Sequence, residues 1–366
     1  MTTLCKPSVH LPEHVIRLEE TLALCDRLHS THPQLPLARR LIANTEVEER
    51  HLVRPIEEIL VHPGFEARNR IYVDEAKARI PSVVADALRH ARLAPDEIGT
   101  IIFVSCTGFT MPSLTAWMIN ELGFQPTTRQ VPIAQLGCAA GGAAINLAGT
   151  LARAQQENVL IVACEFCSLC YQPTDLEIGN LLSNGLFGDA VAAAVVRADD
   201  LVPGFRVEQT ASYVVPNTED WISYDMRATG FHFRLDRRVP RTMEALAPVM
   251  DAAARKHGWS ASELGLYVIH AGGPRILDDL ARFLGVDPYH FRFSRATLRS
   301  CGNIASAVVF DALRRAFDSG EVAADGPSVI AGFGPGITAE ICFGTCTWPQ
   351  FSATGTIDLR DRALVS

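Results

Sequence analysis

Apolar runs of strand length alternate with amphipathic segments along most of the chain. A continuous apolar run between turn residues is typical of a buried strand, whereas apolar residues three or four positions apart are typical of a helix. The pattern predicts strands over 6–11, 99–106, 158–164, 186–196, 264–270, 328–333 and 340–347. It predicts helices over 16–29, 71–92, 111–122, 138–156, 243–256, 275–284 and 303–317. This alternation predicts an α/β fold built in layers.

Residues 200–240 break the alternation. This segment is rich in Trp, Tyr, Phe, His and Arg, with scattered polar residues between them. We interpret it as hairpin and loop structure that walls a cavity, because it has neither a helical period nor a long apolar run.

The order of strand, helix and strand occurs twice at similar spacing. A helix that begins at Cys138 follows the strand that ends at Cys106, and a helix that begins at Asn303 follows the strand that ends at His270. Each of these helices opens after a glycine. We therefore predict two similar halves, 1–205 and 206–366, related by a pseudo-twofold axis. Such an axis would bring the start of the Cys138 helix to face the start of the Asn303 helix.

Length, charge and hydropathy exclude several classes of protein. The chain has 366 residues, 48% of them hydrophobic, which is enough for two core-forming units. A net charge of −8 without a long basic stripe argues against nucleic-acid binding. The apolar runs are too short to cross a bilayer, and the N-terminus has no signal-peptide pattern. We therefore expect a cytoplasmic protein whose ten cysteines are reduced.

Cys138 lies where a polar approach gives way to a run of Ala, Gly and Leu. This position places the sulfur in the first turn of a buried helix, where unpaired N–H groups and the helix dipole favour a thiolate. The pseudo-symmetry would add the imidazole of His270 and the amide of Asn303. Cysteine and histidine together perform acyl transfer, and two hydrogen-bond donors stabilise an oxyanion or an enolate. This set of groups fits a carbanion that is made by loss of CO2.

Each of these residues also has a purely structural interpretation. Cys138 and Cys106 can be small core residues, His270 a buried core histidine, and Asn303 a helix N-cap. Three structural roles at matching positions of a repeat are less probable together than any one of them alone. The repeat therefore favours a catalytic site.

A run of three cysteines suggests a different function. Cys164, Cys167 and Cys170 have a spacing that also occurs in metal and iron–sulfur sites. The run begins inside a predicted buried strand, and no fourth cysteine follows at cluster spacing. We expect no metal site here, and a metal-binding or redox protein is the non-enzymatic alternative.

Several segments of the chain resemble the chalcone synthase-like type III polyketide synthases. The resemblance covers essentially the whole chain, and it rests on 135–148, 268–277, the Gly-Asn-Ile-Ala-Ser motif at 302–306 and the Gly-Phe-Gly-Pro-Gly motif at 332–336. Within that family, 105–109, 167–173 and 275–284 are similar to the bacterial tetrahydroxynaphthalene synthases.

The resemblance implies a thiolase-like fold with αβαβα layers, a homodimer, and coenzyme A thioesters as substrates without any further cofactor or metal. It implies that Cys138 is the nucleophile and that His270 and Asn303 form the pair for decarboxylation and oxyanion stabilisation. It also implies that malonyl-CoA is condensed iteratively to a pentaketide, which cyclises to 1,3,6,8-tetrahydroxynaphthalene. Alternatives are a phloroglucinol synthase, a type III enzyme that makes a pyrone or resorcinol from an acyl-CoA starter, and a ketoacyl synthase that uses a carrier protein.

The same resemblance implies roles for residues around the nucleophile. Phe187 and Phe233 match the gatekeeping aromatics, and we expect Tyr224 in the cavity wall. Cys106 stands where plant relatives carry Thr and is implied to face the substrate. Met111 matches a residue that reaches into the cavity of the partner subunit.

The basic residues that would bind the coenzyme A phosphates are only partly present. Arg40 matches one of the family's three basic positions, whereas Leu37 and Asn44 occupy the other two. We expect Arg39 or Arg275 to substitute for the missing charges.

Overall fold

A computed structural model describes residues 1–322 and 325–347 as fourteen strands and eleven α-helices. The strands are β1 (Thr3–Cys5), β2 (Ser8–His10), β3 (His14–Arg17), β4 (Glu49–Leu52), β5 (Ile98–Val104), β6 (Arg129–Ile133), β7 (Asn158–Phe166), β8 (Asp189–Arg197), β9 (Gly204–Val214), β10 (Ile222–Arg227), β11 (Gly230–Leu235), β12 (Leu266–Ile269), β13 (Pro327–Gly334) and β14 (Thr338–Cys346). The helices are α1 (Leu18–Leu28), α2 (Leu35–Ala43), α3 (Ile56–Leu60), α4 (Phe65–Ala91), α5 (Leu114–Glu121), α6 (Ala140–Gln155), α7 (Ile178–Leu186), α8 (Thr242–Lys256), α9 (Pro274–Leu284), α10 (Arg292–Cys301) and α11 (Val308–Ser319). The predicted α/β class is confirmed.

Ten of the strands form one mixed sheet. Its order is β12-β13-β14-β9-β1-β8-β7-β5-β6, and β2 pairs with β8 beside this path. In the first half β5 lies parallel to β7, which is antiparallel to β8. In the second half β12 lies parallel to β13, which is antiparallel to β14. The predicted pair of similar units is therefore present, and β1 joins them by pairing with both β8 and β9.

Helices α6 and α11 occupy equivalent places in the two units, each after a 3-10 turn, Gly137–Ala139 and Ala305–Ala307. Small residues let the two turns approach closely. A Cβ atom on Gly141, in the first turn of α6, would lie 2.2 Å from the carbonyl oxygen of Ser306, so any side chain there would push α6 away from the Ala305–Ala307 turn. Helix α6 also packs against β7, β13 and β14, and it is therefore in contact with strands of both units.

The apolar core lies on both faces of the sheet. One cluster joins α6, α8, α9 and α11 to strands of both units, and a second packs α4 against β5, β7 and β8. Every residue of β8 is buried, as expected of a strand covered on both faces. In 1–322 and 325–347 no helix has the length and apolar character needed to cross a membrane.

Some element boundaries differ from the sequence prediction. The predicted strand 186–196 begins only at Asp189, because Leu186 ends α7. The helix predicted from Asn303 begins later, since 305–307 form a 3-10 turn. Helices α2, α3, α7 and α10 were not predicted. Most of these are short, and α7 depends on tertiary packing, with Leu181 buried against Ile42 of α2.

The division at 205/206 stays a prediction. Part of the predicted C-terminal half, residues 348–366, lies outside the described residues.

Candidate active site

A cavity of about 490 Å³ is lined by residues of both halves. The structure brings Cys138, His270 and Asn303 together on its wall, as the repeat predicts. Cys138 lies in the 3-10 turn before α6, His270 directly follows β12, and Asn303 precedes the equivalent turn before α11. Five further predicted residues also line this cavity: Cys106, Phe187, Tyr224, Phe233 and Arg275.

The amide of Asn303 has a fixed orientation. Its Oδ1 accepts a hydrogen bond of 3.0 Å from the backbone N–H of Ala305, so the Nδ2 hydrogens are left for the cavity. The backbone of Asn303 donates to the carbonyl of Leu186 at 2.8 Å and accepts from the N–H of Gly188 at 3.1 Å. The turn that carries Phe187 is thereby joined to the turn that carries Asn303.

Burial acts in opposite directions on the two titratable members of the site. Burial first, and then the charge of Glu165, raises the pKa of the Cys138 thiol to about 12, although a hydrogen bond with Asn303 lowers it in part. Burial lowers the pKa of His270 to about 4. The expected lowering of the Cys138 pKa by the helix start is therefore wrong on balance, because burial outweighs it. Burial makes the Cys138 thiolate unfavourable by itself and the protonated His270 unfavourable by itself. We therefore expect the thiolate to form only when its proton passes to His270.

Glu165 is a site residue that the sequence analysis missed. Its side chain is fully buried at the end of β7, where it accepts hydrogen bonds from Ser306 Oγ at 2.5 Å and Thr107 Oγ1 at 2.9 Å. The backbone N–H of Cys106 donates to it at 3.0 Å, and the Cys106 thiol lies 3.6 Å away. Burial raises the pKa of Glu165, and these donors oppose that shift. One carboxylate thus ties the Cys106 loop to the motif that carries Asn303.

Replacing Glu165 by glutamine should lower the free energy of unfolding by about 1–3 kcal/mol, because the amide NH2 faces groups that are themselves donors. It should also speed alkylation of Cys138 at a fixed pH. The negative charge of Glu165 raises the pKa of that thiol, so the pKa should fall when the charge is removed. Urea unfolding and iodoacetamide labelling measure the two effects. Glu157→Gln, at an exposed position, is the control and should change stability by less than about 0.5 kcal/mol. Unchanged stability in Glu165→Gln would contradict this role.

Aromatic side chains wall the cavity, as the composition of 200–240 predicts. Tyr224 and Phe233 lie directly opposite each other on the β10–β11 hairpin, with ring centroids 5.9 Å apart. The ring of Phe187 meets that of Phe233 edge-on at 5.4 Å. Burial raises the pKa of the Tyr224 hydroxyl well above its usual range, so this group stays protonated.

Two predicted residues lie away from the cavity. Arg40 lines a separate surface hollow with Arg39, whose side chain pairs with Asp26, and its role in binding the coenzyme A phosphates stays a prediction. It lies on the outer face of α2, whereas Ile42 of the same helix is buried. Met111 is 86% exposed and precedes α5.

The structure divides the three cysteines of the 164–170 run between two elements. Cys164 is buried in β7, and Cys167 and Cys170 stand at the two ends of a 3-10 turn. Among the residues placed in the structure, no group of three or more His, Cys, Asp or Glu side chains is arranged to hold a metal ion.

Comparison with known protein families accounts for this arrangement. The family model described as "Chalcone and stilbene synthases, N-terminal domain" matches residues 24–200, and the corresponding C-terminal model matches 206–344. The chain belongs to the chalcone and stilbene synthase family. The predicted class, a type III polyketide synthase with a thiolase-like fold, is confirmed.

Relatives within the family agree with this assignment. The chain is 65% identical to the 1,3,6,8-tetrahydroxynaphthalene synthase of Streptomyces coelicolor over 94% of this chain and 92% of that protein. It is 46% identical to the phloroglucinol synthase of Pseudomonas fluorescens over 95% of this chain and 100% of that protein. The crystal structure of the Streptomyces coelicolor tetrahydroxynaphthalene synthase, a bacterial type III polyketide synthase, superimposes with a TM-score of 0.93 at 64% identity, covering 95% of this chain and 100% of that one.

Proposed function

We propose that this protein makes 1,3,6,8-tetrahydroxynaphthalene from malonyl-CoA by iterative decarboxylative condensation. The observation that carries the proposal is the 65% identity to a tetrahydroxynaphthalene synthase, against 46% to a phloroglucinol synthase. The cavity supports the proposal chemically, because the thiol of Cys138, the imidazole of His270 and the amide of Asn303 all line it.

Loading is a thioester exchange. The Cys138 sulfur attacks the thioester carbonyl while its proton passes to His270, and the tetrahedral oxyanion forms within reach of the Asn303 amide. The bond between the carbonyl carbon and the coenzyme A sulfur then breaks. His270 returns the proton to the departing thiolate, which leaves the acyl group on Cys138 and both catalytic groups neutral.

Extension begins with a second malonyl-CoA. The bond to its carboxylate breaks, CO2 leaves, and the electron pair becomes an enolate whose oxygen accepts hydrogen bonds from Asn303 Nδ2 and the imidazole N–H. The enolate carbon attacks the thioester on Cys138, the bond between the acyl carbon and the Cys138 sulfur breaks, and Cys138 leaves as the thiolate. The lengthened chain is then a coenzyme A thioester, from which the thiolate takes it back for another cycle. Because decarboxylation itself supplies the carbanion, the proposal requires no cofactor beyond the coenzyme A thioesters. We assign Arg275 to thioester binding, since it is on the cavity wall and its side chain is largely exposed although it pairs with Asp279 at 3.2 Å.

A second copy of the chain is part of the proposal. Phe109 and Met111 are 57% and 86% exposed beside each other, and β6 lies at the edge of the sheet. Large exposed apolar side chains favour an interface. We assign Met111 to the cavity of the partner subunit.

The ten cysteines are unpaired, which fits a reducing compartment, and we place the enzyme in the cytoplasm.

Incubation of the purified protein with malonyl-CoA alone tests the function. We expect release of free coenzyme A and CO2 together with 1,3,6,8-tetrahydroxynaphthalene, identified by mass spectrometry before it oxidises. Phloroglucinol as the main product would assign the chain to the related activity. Consumption only in the presence of an acyl-carrier protein would contradict a type III mechanism.

A further inference from the structure

The β10–β11 hairpin forms one wall of the catalytic cavity but is not part of the large sheet. Tyr224 and Phe233 line the cavity, and in the described part of the chain β10 and β11 pair only with each other. A two-stranded hairpin is marginally stable at best by itself. The position of this wall therefore depends on the contacts that hold the hairpin against the rest of the protein.

A buried histidine–aspartate pair joins the hairpin to the segment before α7. The side chains of His232, in β11, and Asp175 are only 5% and 8% exposed, and His232 Nδ1 lies 2.8 Å from Asp175 Oδ2. A carboxylate only accepts hydrogen bonds, so the imidazole N–H is the donor. The other ring nitrogen, Nε2, lies 2.7 Å from Thr229 Oγ1 in the turn of the same hairpin. Both ring nitrogens are used, and the imidazole is fixed between that turn and Asp175.

His232 is also the main partner of Asp175. The N–H of Glu177 donates to Asp175 Oδ1 at 3.2 Å, and the guanidinium of Arg227, which is nearly half exposed, lies 4.0 Å from Oδ2. A buried carboxylate that loses its closest partner is left with a large desolvation cost. The folded protein therefore keeps the hairpin and the Asp175 segment together.

The pair connects the two elements that carry facing aromatic rings of the cavity. Asp175 lies just before α7, and Phe187 directly follows that helix. His232 immediately precedes Phe233 in β11. Helix α7 packs against β11, and the rings of Phe187 and Phe233 meet edge-on at 5.4 Å. The His232–Asp175 contact thus fixes the space between these two rings from behind the wall, since neither residue lines the cavity itself.

We propose that His232 and Asp175 are positioning residues that set the length of the polyketide by fixing the aromatic wall. A growing chain has two competing fates. It is extended by the next enolate, or an enol oxygen of the chain attacks its own thioester carbonyl. The second route forms a C–O bond and closes a lactone, the C–S bond breaks, and the enol proton passes to the departing thiolate.

Ring closure requires the chain to fold back on itself, and a fixed wall restricts the conformations that do so. A loosened wall admits them, so shorter chains leave as lactones. This inference rests on the proposed function, because it concerns the length of the product made on Cys138.

His232→Leu tests the role, since it removes both hydrogen bonds of the imidazole. We expect the ratio of short lactones to tetrahydroxynaphthalene to rise roughly tenfold, the change in partition that loss of one hydrogen bond to a charged group produces. The initial rate of CO2 release should stay at the wild-type level, because Cys138, His270 and Asn303 lie outside the hairpin. Liquid chromatography with mass spectrometry measures the products, and CO2 release is followed in parallel.

Two further variants show whether the pair itself is responsible. His232→Asn supplies an amide N–H on the side of the imidazole Nδ1 and should restore the wild-type product ratio. His232→Leu/Asp175→Leu replaces both partners by apolar groups, so it should fold even if the single variant does not. It should show the same roughly tenfold rise as His232→Leu and no more, because one shared contact is lost only once.

Asp225→Asn is the matched control. Asp225 lies opposite His232 in the hairpin, but its ion pairs with Arg227 and Arg234 are largely exposed. Its replacement should leave the product ratio unchanged. A wild-type ratio in the folded double variant would overturn the proposal and assign the pair to stability alone. An equal rise in Asp225→Asn would also overturn it, because any disturbance of the hairpin would then have the same effect.

Failure of the inference and failure of the proposed function give different results. Wild-type enzyme that makes tetrahydroxynaphthalene, together with unchanged product lengths in the folded variants, would remove the inference alone. A wild-type enzyme whose main product is another polyketide would remove the proposed product. Shorter products from His232→Leu would in that case still support the positioning role of the pair.

Discussion

Replacement of Cys138 by alanine is expected to abolish the acyl-enzyme and, with it, all polyketide product. The side chain supplies the sulfur to which the starter is attached, and no neighbouring group is placed in the same turn to replace it. Decarboxylation of malonyl-CoA should continue in this variant, because His270 and Asn303 still line the cavity. The result would separate attachment of the starter from formation of the enolate.

Intact-mass spectrometry after incubation with malonyl-CoA measures the acyl-enzyme, and CO2 release measures decarboxylation. Cys106→Ala is the matched control, since it removes another thiol from the wall of the same cavity. It should still carry an acyl group. An acyl adduct on Cys138→Ala, or its absence from Cys106→Ala, would show that the nucleophile is assigned to the wrong residue.

Replacement of His270 or Asn303 by alanine is expected to slow decarboxylation by roughly 10²-fold or more, the usual cost of one oxyanion-hole donor. The two variants should differ in their effect on the thiol. Without the imidazole as a proton acceptor, burial keeps Cys138 protonated, and the thiolate appears only as the pH rises towards its pKa of about 12. Asn303→Ala keeps the imidazole and should retain most of the thiol reactivity at neutral pH.

Iodoacetamide labelling of Cys138 between pH 5 and 9 distinguishes the two roles. Labelling of the wild-type enzyme should extend to lower pH than labelling of His270→Ala, because proton transfer to His270 creates the thiolate. Melting curves establish that both variants are folded. Identical pH profiles for wild type and His270→Ala would rule out the histidine as proton acceptor.

The central part of the site could be predicted from sequence because its residues stand at element boundaries. Cys138 and Asn303 each follow a glycine just before equivalent helices, and His270 directly follows a buried strand, so the repeat alone places them at one edge. The aromatic wall could also be predicted, since the composition of 200–240 fits neither a core strand nor a helix. Element boundaries and local composition are both visible in a single sequence, so these features could be predicted.

The remaining features depend on tertiary contacts that have no local pattern. Glu165 stands inside a run of apolar residues, and its donors come from Thr107 and from Ser306, far along the chain. The pKa of Cys138 likewise follows from burial by both halves, which outweighs the helix start. Arg40 fits a family position, and the packing of α2 places it in a surface hollow, so its assignment to the coenzyme A phosphates stays a prediction.

The central place of β1 in the sheet has a consequence for synthesis of the chain. Thr3–Cys5 is the first of the described strands to be synthesised, yet its partners β8 and β9 are Asp189–Arg197 and Gly204–Val214. Strand β1 must therefore stay unpaired until Asp189–Arg197 has been translated. The pairing of β1 that joins the two units is then a late event in folding. A nascent chain that stalls before Val214 leaves the strand edges that join the two units exposed to solvent.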